Sequence, residues 1–136
     1  MGVFLDARAS MNSNRPGFPG TPLSFTPELF GIIGLQTYNA PKPIVILHGS
    51  VGILGDIGDN FRIEIVRGAT YAPANVIYTL EGAVSEATDT HHTSFVAADL
   101  NAPASPHTVY SSFISGVSTS VRNGPETFVG TASWSR

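Results

Sequence analysis

Residues 60–67, NFRIEIVR, alternate apolar and polar side chains, with Phe61, Ile63 and Ile65 on one side and Arg62, Glu64 and Arg67 mostly on the other. A period of two with β-branched residues is the pattern of a strand that buries one face. Comparable runs occupy 29–38, 44–54, 76–84, 88–100, 107–115 and 126–134, separated by Gly, Pro, Asn and Asp. No stretch carries a helical period. About eight short strands at this spacing predict an all-β fold, a jelly-roll β-sandwich over residues 29–136. The run IVILHGSVGIL (44–54) sets Val45, Leu47, Gly49, Val51 and Ile53 against Ile44, Ile46, His48 and Ser50. Both faces of its first half are apolar, so that half is expected to be covered on both sides. Gly31 and Gly34 within 29–38 point to a bulge or a close backbone approach.

Residues 1–28 read differently, as an extended Pro-rich N-terminal connector arm. Pro16, Pro19, Pro22 and Pro27 fix φ and remove donors, which excludes a central strand. Phe4, Leu5, Phe18, Leu23 and Phe25 are too many large apolar groups for a free tail, since disordered linkers are poor in aromatics. Such an arm folds back on its own domain, docks on a neighbouring subunit, or stays disordered. The second reading is preferred, with those five residues as the subunit-docking anchors. Only 12% of the chain is charged, about half the usual share, and a charge-poor surface suggests extensive contact with other protein.

Several function classes find no support. A net charge of −3 with one lysine offers no basic stripe for nucleic acid. No apolar run approaches the ~20 residues of a membrane helix, and MGVFLDARAS does not read as a standard signal peptide. The absence of cysteine removes disulfides, thiolate metal sites and Cys nucleophiles. His48, His91, His92 and His107 form no metal-ligand spacing. Asp56 and Asp59 flank a turn, and Glu64 and Glu81 fall on strand positions that read as solvent-facing, so no acid pair for glycoside hydrolysis stands out. Trp134, Tyr38, Tyr71, Tyr78 and Tyr110 offer material for a sugar-stacking platform, but core or interface roles are commoner for such residues. No catalytic, cofactor-binding or metal-binding residues are predicted, and the chain is not expected to be an enzyme.

The ordered segments PIVILHGSVGI, NFRIEIVRG, HTSFVAADLNAPASPHTVYSSFIS and GPETFVGTAS resemble a group of small proteins of spore-forming Firmicutes. These are the C-terminal jelly-roll domains of collagen-like exosporium glycoproteins and the subunits of endospore appendage fibres. The matching positions include Val45, Leu47, Val51, Gly52, Phe61, Arg62, Ile63, Arg67, Gly68, Ser94, Phe95, Asp99, Asn101 to Ala104, His107, Tyr110, Gly124, Pro125, Thr127, Phe128 and Gly130. Ser105-Pro106 departs from the family's Gly before His107, and Val66 adds one residue to its F-R-I-x-R spacing, which suggests a bulge. The resemblance covers roughly residues 30–133. It implies a jelly roll that often forms trimers and a structural role at a surface.

The expectation is therefore a structural subunit, located extracellularly or on the spore or cell surface. It would self-associate, as a homotrimer, into a filament (an endospore appendage or exosporium fibre), the arm docking onto the next layer. Partners would be other copies of itself and possible further spore-surface proteins, with no nucleic acid, membrane or cofactor. The alternative is a trimeric surface tip that binds carbohydrate or a host ligand through its loops.

Overall fold

The computed structural model describes residues 2–86 and 88–135. Its strands are β1 (Gly2–Ser13), β2 (Thr21–Pro22), β3 (Glu28–Gln36), β4 (Ile44–Leu54), β5 (Asn60–Arg67), β6 (Val76–Ala83), β7 (His91–Asp99), β8 (His107–Gly116), β9 (Val121–Arg122) and β10 (Glu126–Ser135). A 3₁₀ turn, Pro73–Asn75, precedes β6. The long strands form four nested antiparallel pairs: β1 with β10, β3 with β8, β4 with β7, and β5 with β6. Such a nested hairpin, rolled so that its pairs fall alternately in two sheets, is a jelly roll. The first sheet runs β1-β10-β4-β7, with β9 and β2 continuing it beside the end of β4, and the second runs β3-β8-β5-β6.

The inner faces meet as alternation requires. Val45, Leu47, Val51 and Ile53 from β4 pack with Phe95, Phe128 and Ala132 of the first sheet, and with Phe30, Ile33, Leu35, Phe61, Ile63, Ile65 and Ile114 of the second. Gly31 sits at a register shift in the β3–β8 pairing. A Cβ there would run into Phe128, and one at Gly34 would run into the ring of His107. The bulge and the close approach expected for β3 are thus both present. The bulge expected at Val66 is not on β5, which pairs with β8 without interruption through Ile65, Val66 and Arg67; the register shift beside it leaves Ile77 of β6 as the unpaired residue.

Two readings of β5 need correction. Arg67 shares the parity of Phe61, Ile63 and Ile65 and points inward, because a period of two places residues 61, 63, 65 and 67 on one face. Glu64 faces outward but is not solvated: it is 6% exposed, covered by Tyr71 of the β5–β6 loop, whose hydroxyl donates to both its oxygens at 3.2 and 3.1 Å.

The N-terminal segment does not stand apart from the sandwich. Gly2–Ser13 is an edge strand paired with β10 along its whole length, bulged near Phe4 and near Met11. Proline is incompatible with a paired strand interior, but the first proline lies beyond β1, at residue 16. Residues 17–23 are also tied to their own chain: the N–H groups of Gly17, Gly20 and Leu23 donate to the carbonyls of Asn123, Arg122 and Ser120. Asp6 binds β1 to the second sheet by accepting from the Gln36 N–H at 2.8 Å, and this bond holds its carboxyl below the ordinary range.

The two ends of the sandwich are closed by ion pairs whose carboxylates are buried. At one end Arg67 on β5 grips Asp99 on β7 in a bidentate pair, at 2.8 and 2.6 Å, while the Tyr110 hydroxyl donates to Asp99 at 2.6 Å. At the other, Arg122 is bidentate to Glu126 at 2.8 and 2.7 Å, and Asn12 of β1 donates to the same carboxylate. Burial opposes ionisation of Asp99, but Arg67, Tyr110 and the Asn101 N–H together outweigh it and hold the carboxyl below its ordinary 3.8. A carboxylate lowered in the folded state contributes stability that is present above its unfolded value and lost as pH falls through its folded one. Asp99→Asn should lower the unfolding free energy at pH 7 by about 3 kcal/mol, the low end for a broken buried pair because Arg67 keeps 31% of its side chain in water. It should also flatten the acid-induced loss of stability below pH 4, read by urea titration across pH.

Candidate subunit interface

Sheet register aligns the outward side chains of the first sheet into a grid. One row reads Met11, Thr127, Ser50, Ser94 across β1, β10, β4 and β7. The next two are Ala9, Val129, His48, Val96 and Ala7, Thr131, Ile46, Ala98. The last holds Phe4, Ser133 and Ile44, with Leu100 just past the end of β7. None of these side chains carries a formal charge at neutral pH, and none is buried. Phe4, Met11, Val96 and Leu100 are each at least 60% exposed, and Ile44 is 37% exposed.

An antiparallel sheet that faces water usually turns polar residues outward. The second sheet follows that rule in part: its outer face carries the Arg62–Glu81 pair at 2.7 Å and is roofed in part by Tyr71, packed edge-on against Phe113 at 5.4 Å, but its edge strand β3 leaves Leu29 and Ile32 45% and 42% exposed. The first sheet breaks it. The expectation that the first half of β4 is covered on both sides therefore meets one covered face and one bare one.

The five predicted anchors divide. Leu23 is 1% exposed and belongs to the chain's own core, and Leu5 packs against that core at the bulge of β1. Neither is presented to another molecule in this structure. Phe4, Phe18 and Phe25 are 69%, 46% and 82% exposed. Phe25 stands at the apex of a turn in which the Ser24 hydroxyl bridges to the Thr26 carbonyl at 3.1 Å, itself anchored by the Gly116 N–H donating to the Ser24 carbonyl. It borders a cleft of about 410 Å³ shared with Asn60, Arg62, Glu81 and Ser115.

The histidines lie apart. His48 is on the outer grid, His107 covers Gly34, and His91 is hydrogen-bonded to Ser85 and packed beside Phe61 at 5.6 Å. Among the described residues no three His, Asp or Glu side chains converge as a metal site. Sequence reading missed the grid as a whole. Its signal was present in the outward residues of 44–50, but the neighbours of each row come from β1, β7 and β10, whose register no local pattern discloses.

The fold defines a jelly-roll β-sandwich. No protein-family model matches the chain, and no curated protein matches it. Among solved structures it is similar to dimeric latent PorU from Porphyromonas gingivalis, with a TM-score of 0.52 and 9% identity over 96% of this chain. The chain spans 13% of the length of that PorU chain. It is also similar to the PRD1 vertex protein P5 (TM-score 0.46, 13% identity, 96% of each chain). A third likeness is to a subunit of Bacillus endospore appendages, described as disulfide-linked pili (TM-score 0.43, 11% identity, 98% of this chain and 88% of that one). Only the PorU likeness exceeds a TM-score of 0.5, and at 9% identity it speaks to the fold alone. The present chain has no cysteine with which to form an intersubunit disulfide.

The division of the five anchors has a direct consequence for stability. Leu23→Ala should destabilise the fold by about 2–5 kcal/mol through loss of buried contacts, whereas Phe25→Ala should change it by no more than about 0.5 kcal/mol. Denaturant unfolding at a concentration where the chain is monomeric measures both.

Proposed function

We propose that the chain is a structural subunit that assembles with copies of itself into an extracellular or spore-surface fibre. The observation that carries this reading is the bare, uncharged outer face of the first sheet, built around a strand that is apolar on both sides. An uncharged face on which Phe4, Met11, Ile44, Val96 and Leu100 stand exposed among small Ala, Ser, Thr and Val side chains is of the size of the largest patch on a typical monomer, which is often functional, and the sequence resemblance to spore-surface jelly rolls points the same way. Copies meet grid to grid through this face, an isologous contact that joins them two by two rather than as the trimer the resemblance implies. The layers so formed are linked by Phe18 and Phe25, with Phe4 at the rim of the face. Burying each of these phenylalanines in a neighbour contributes about 1.5–3 kcal/mol before entropic costs. A head-to-tail contact of this kind does not close on itself and generates a filament.

A second reading, a surface tip that binds carbohydrate, is favoured by one observation. The exposed Phe25 ring borders the cleft that holds Asn60, Arg62 and Glu81, a stacking surface beside hydrogen-bonding groups of the kind that sugars use.

Negative-stain electron microscopy of the purified full-length chain separates the readings. Fibres from the wild type, with only compact oligomers from Phe18→Asp/Phe25→Asp, are the expected result. These substitutions are preferable to deleting residues 1–28, which would remove strand β1 and the core residue Leu23. Discrete monomers from the wild type at all concentrations would sink the assembly reading and send the work to glycan binding.

A further inference from the structure

His48 occupies an inner position of the grid. Its neighbours across the sheet are Val129 on β10 and Val96 on β7, and along β4 they are Ile46 and Ser50. The surface is dished here: a shallow depression of about 270 Å³ is lined by His48, Ser50, Ser94, Val96, Thr127 and Val129. Among the described residues no carboxylate occupies an outward position in these rows to balance an imidazolium. Asp6 is turned toward β3, and Asp99 and Glu126 are consumed inside the sandwich. Among the described residues, Lys42 in the β3–β4 turn, His92, one row beyond Ser94 on β7, and Arg15, which lines a depression with Met11, are ionisable groups at the rim.

Resting on the reading of this face as a contact between copies, we infer that the contact is gated by the charge of His48 and releases in acid. The occupant is a second copy because the face is neutral. The chain carries a net charge of −3, yet two copies meeting here bring no like charges together, and a charged partner finds nothing to pair with. Strand spacing and rise make the four-by-four grid about 20 Å on a side, roughly 400 Å² per copy. Two such footprints bury about 800 Å², below the usual range for stable complexes, so the pairwise contact is weak and easily tipped.

Histidine ordinarily titrates near pH 6.5. Neutral imidazole can be enclosed among Val, Ile, Ser and Thr at modest cost. The imidazolium would lose its hydration without a counter-ion, which disfavours the associated state. The affinity is therefore higher with His48 neutral and falls when acid protonates it.

Sedimentation velocity of the full-length wild type, His48→Gln and His92→Gln at pH 7.5 and pH 5.0 tests this, with circular dichroism confirming the fold at both. The wild type and His92→Gln are expected to dissociate at pH 5.0, with an apparent dissociation constant raised at least about tenfold. His48→Gln is expected to stay associated at both values. Wild-type association equally tight at pH 5.0, or acid dissociation persisting in His48→Gln, would overturn the gate and leave the interface reading intact. A wild type that is monomeric at pH 7.5 would overturn the interface reading itself.

Discussion

Strand β4 is the member on which the rest of the architecture depends. It is the central strand of the first sheet, pairing with β10 on one side and β7 on the other, and its last residues also hold β9. Its inner residues Val45, Leu47, Val51 and Ile53 are completely or almost completely buried and supply much of the surface on which the second sheet lies. Its outer residues Ile44 and Ile46 have the same chemistry and nothing among the described residues to bury them. A sheet can leave one face to water only where that face is polar enough to be solvated cheaply. The sandwich thus solves one half of the problem posed by β4 and exports the other.

Charge follows the same division. With so few ionisable residues, the placement of each one matters. Arg67 with Asp99 and Arg122 with Glu126 are drawn inside, where bidentate geometry and further donors from Tyr110 and Asn12 compensate their desolvation. These pairs bridge strands that hydrophobic packing alone would leave free to slide, since Arg67 and Asp99 belong to opposite sheets. Arg62 and Glu81 neutralise one another on the second sheet. What remains for the outer face of the first sheet is no charge at all, and the low charge content of the sequence becomes a property of one particular surface.

Much of the fold was legible because period-two alternation is local. The limits of β4 and β5 follow directly from 44–54 and 60–67, and Gly31 marks an irregularity of pairing at a position where the pattern stumbles, whereas the irregularity beside Val66 belongs to Ile77 of β6. What stayed hidden depends on partners distant in sequence. Residues 2–13 show little alternation because β1 is an edge strand, bulged twice, with only part of one face against the core. Arg67 was assigned by its charge, although its parity with Phe61 places it inside. Glu64 reads as exposed until the β5–β6 loop brings Tyr71 over it. Leu23 and Phe25 are both apolar residues of a Pro-rich segment, and nothing local says that one enters the core while the other stands on a turn.

A durable assembly without disulfides has to draw its strength from repetition. One grid-to-grid contact of roughly 400 Å² per copy is too small to hold two molecules permanently. A subunit in the proposed fibre has that contact and, separately, the contacts made by Phe18 and Phe25 with the next layer. Once one is formed the other becomes an intramolecular event, and the effective concentration raises the combined affinity far above either alone. Weak individual contacts also let misplaced subunits leave before they are trapped, which a strong apolar patch would prevent. The small side chains of the grid, mostly Ala, Ser, Thr and Val between its larger corner residues, suit that requirement. They present a flat surface that packs as one sheet packs on another, at about 10 Å separation, without a deep anchor that would fix the first encounter.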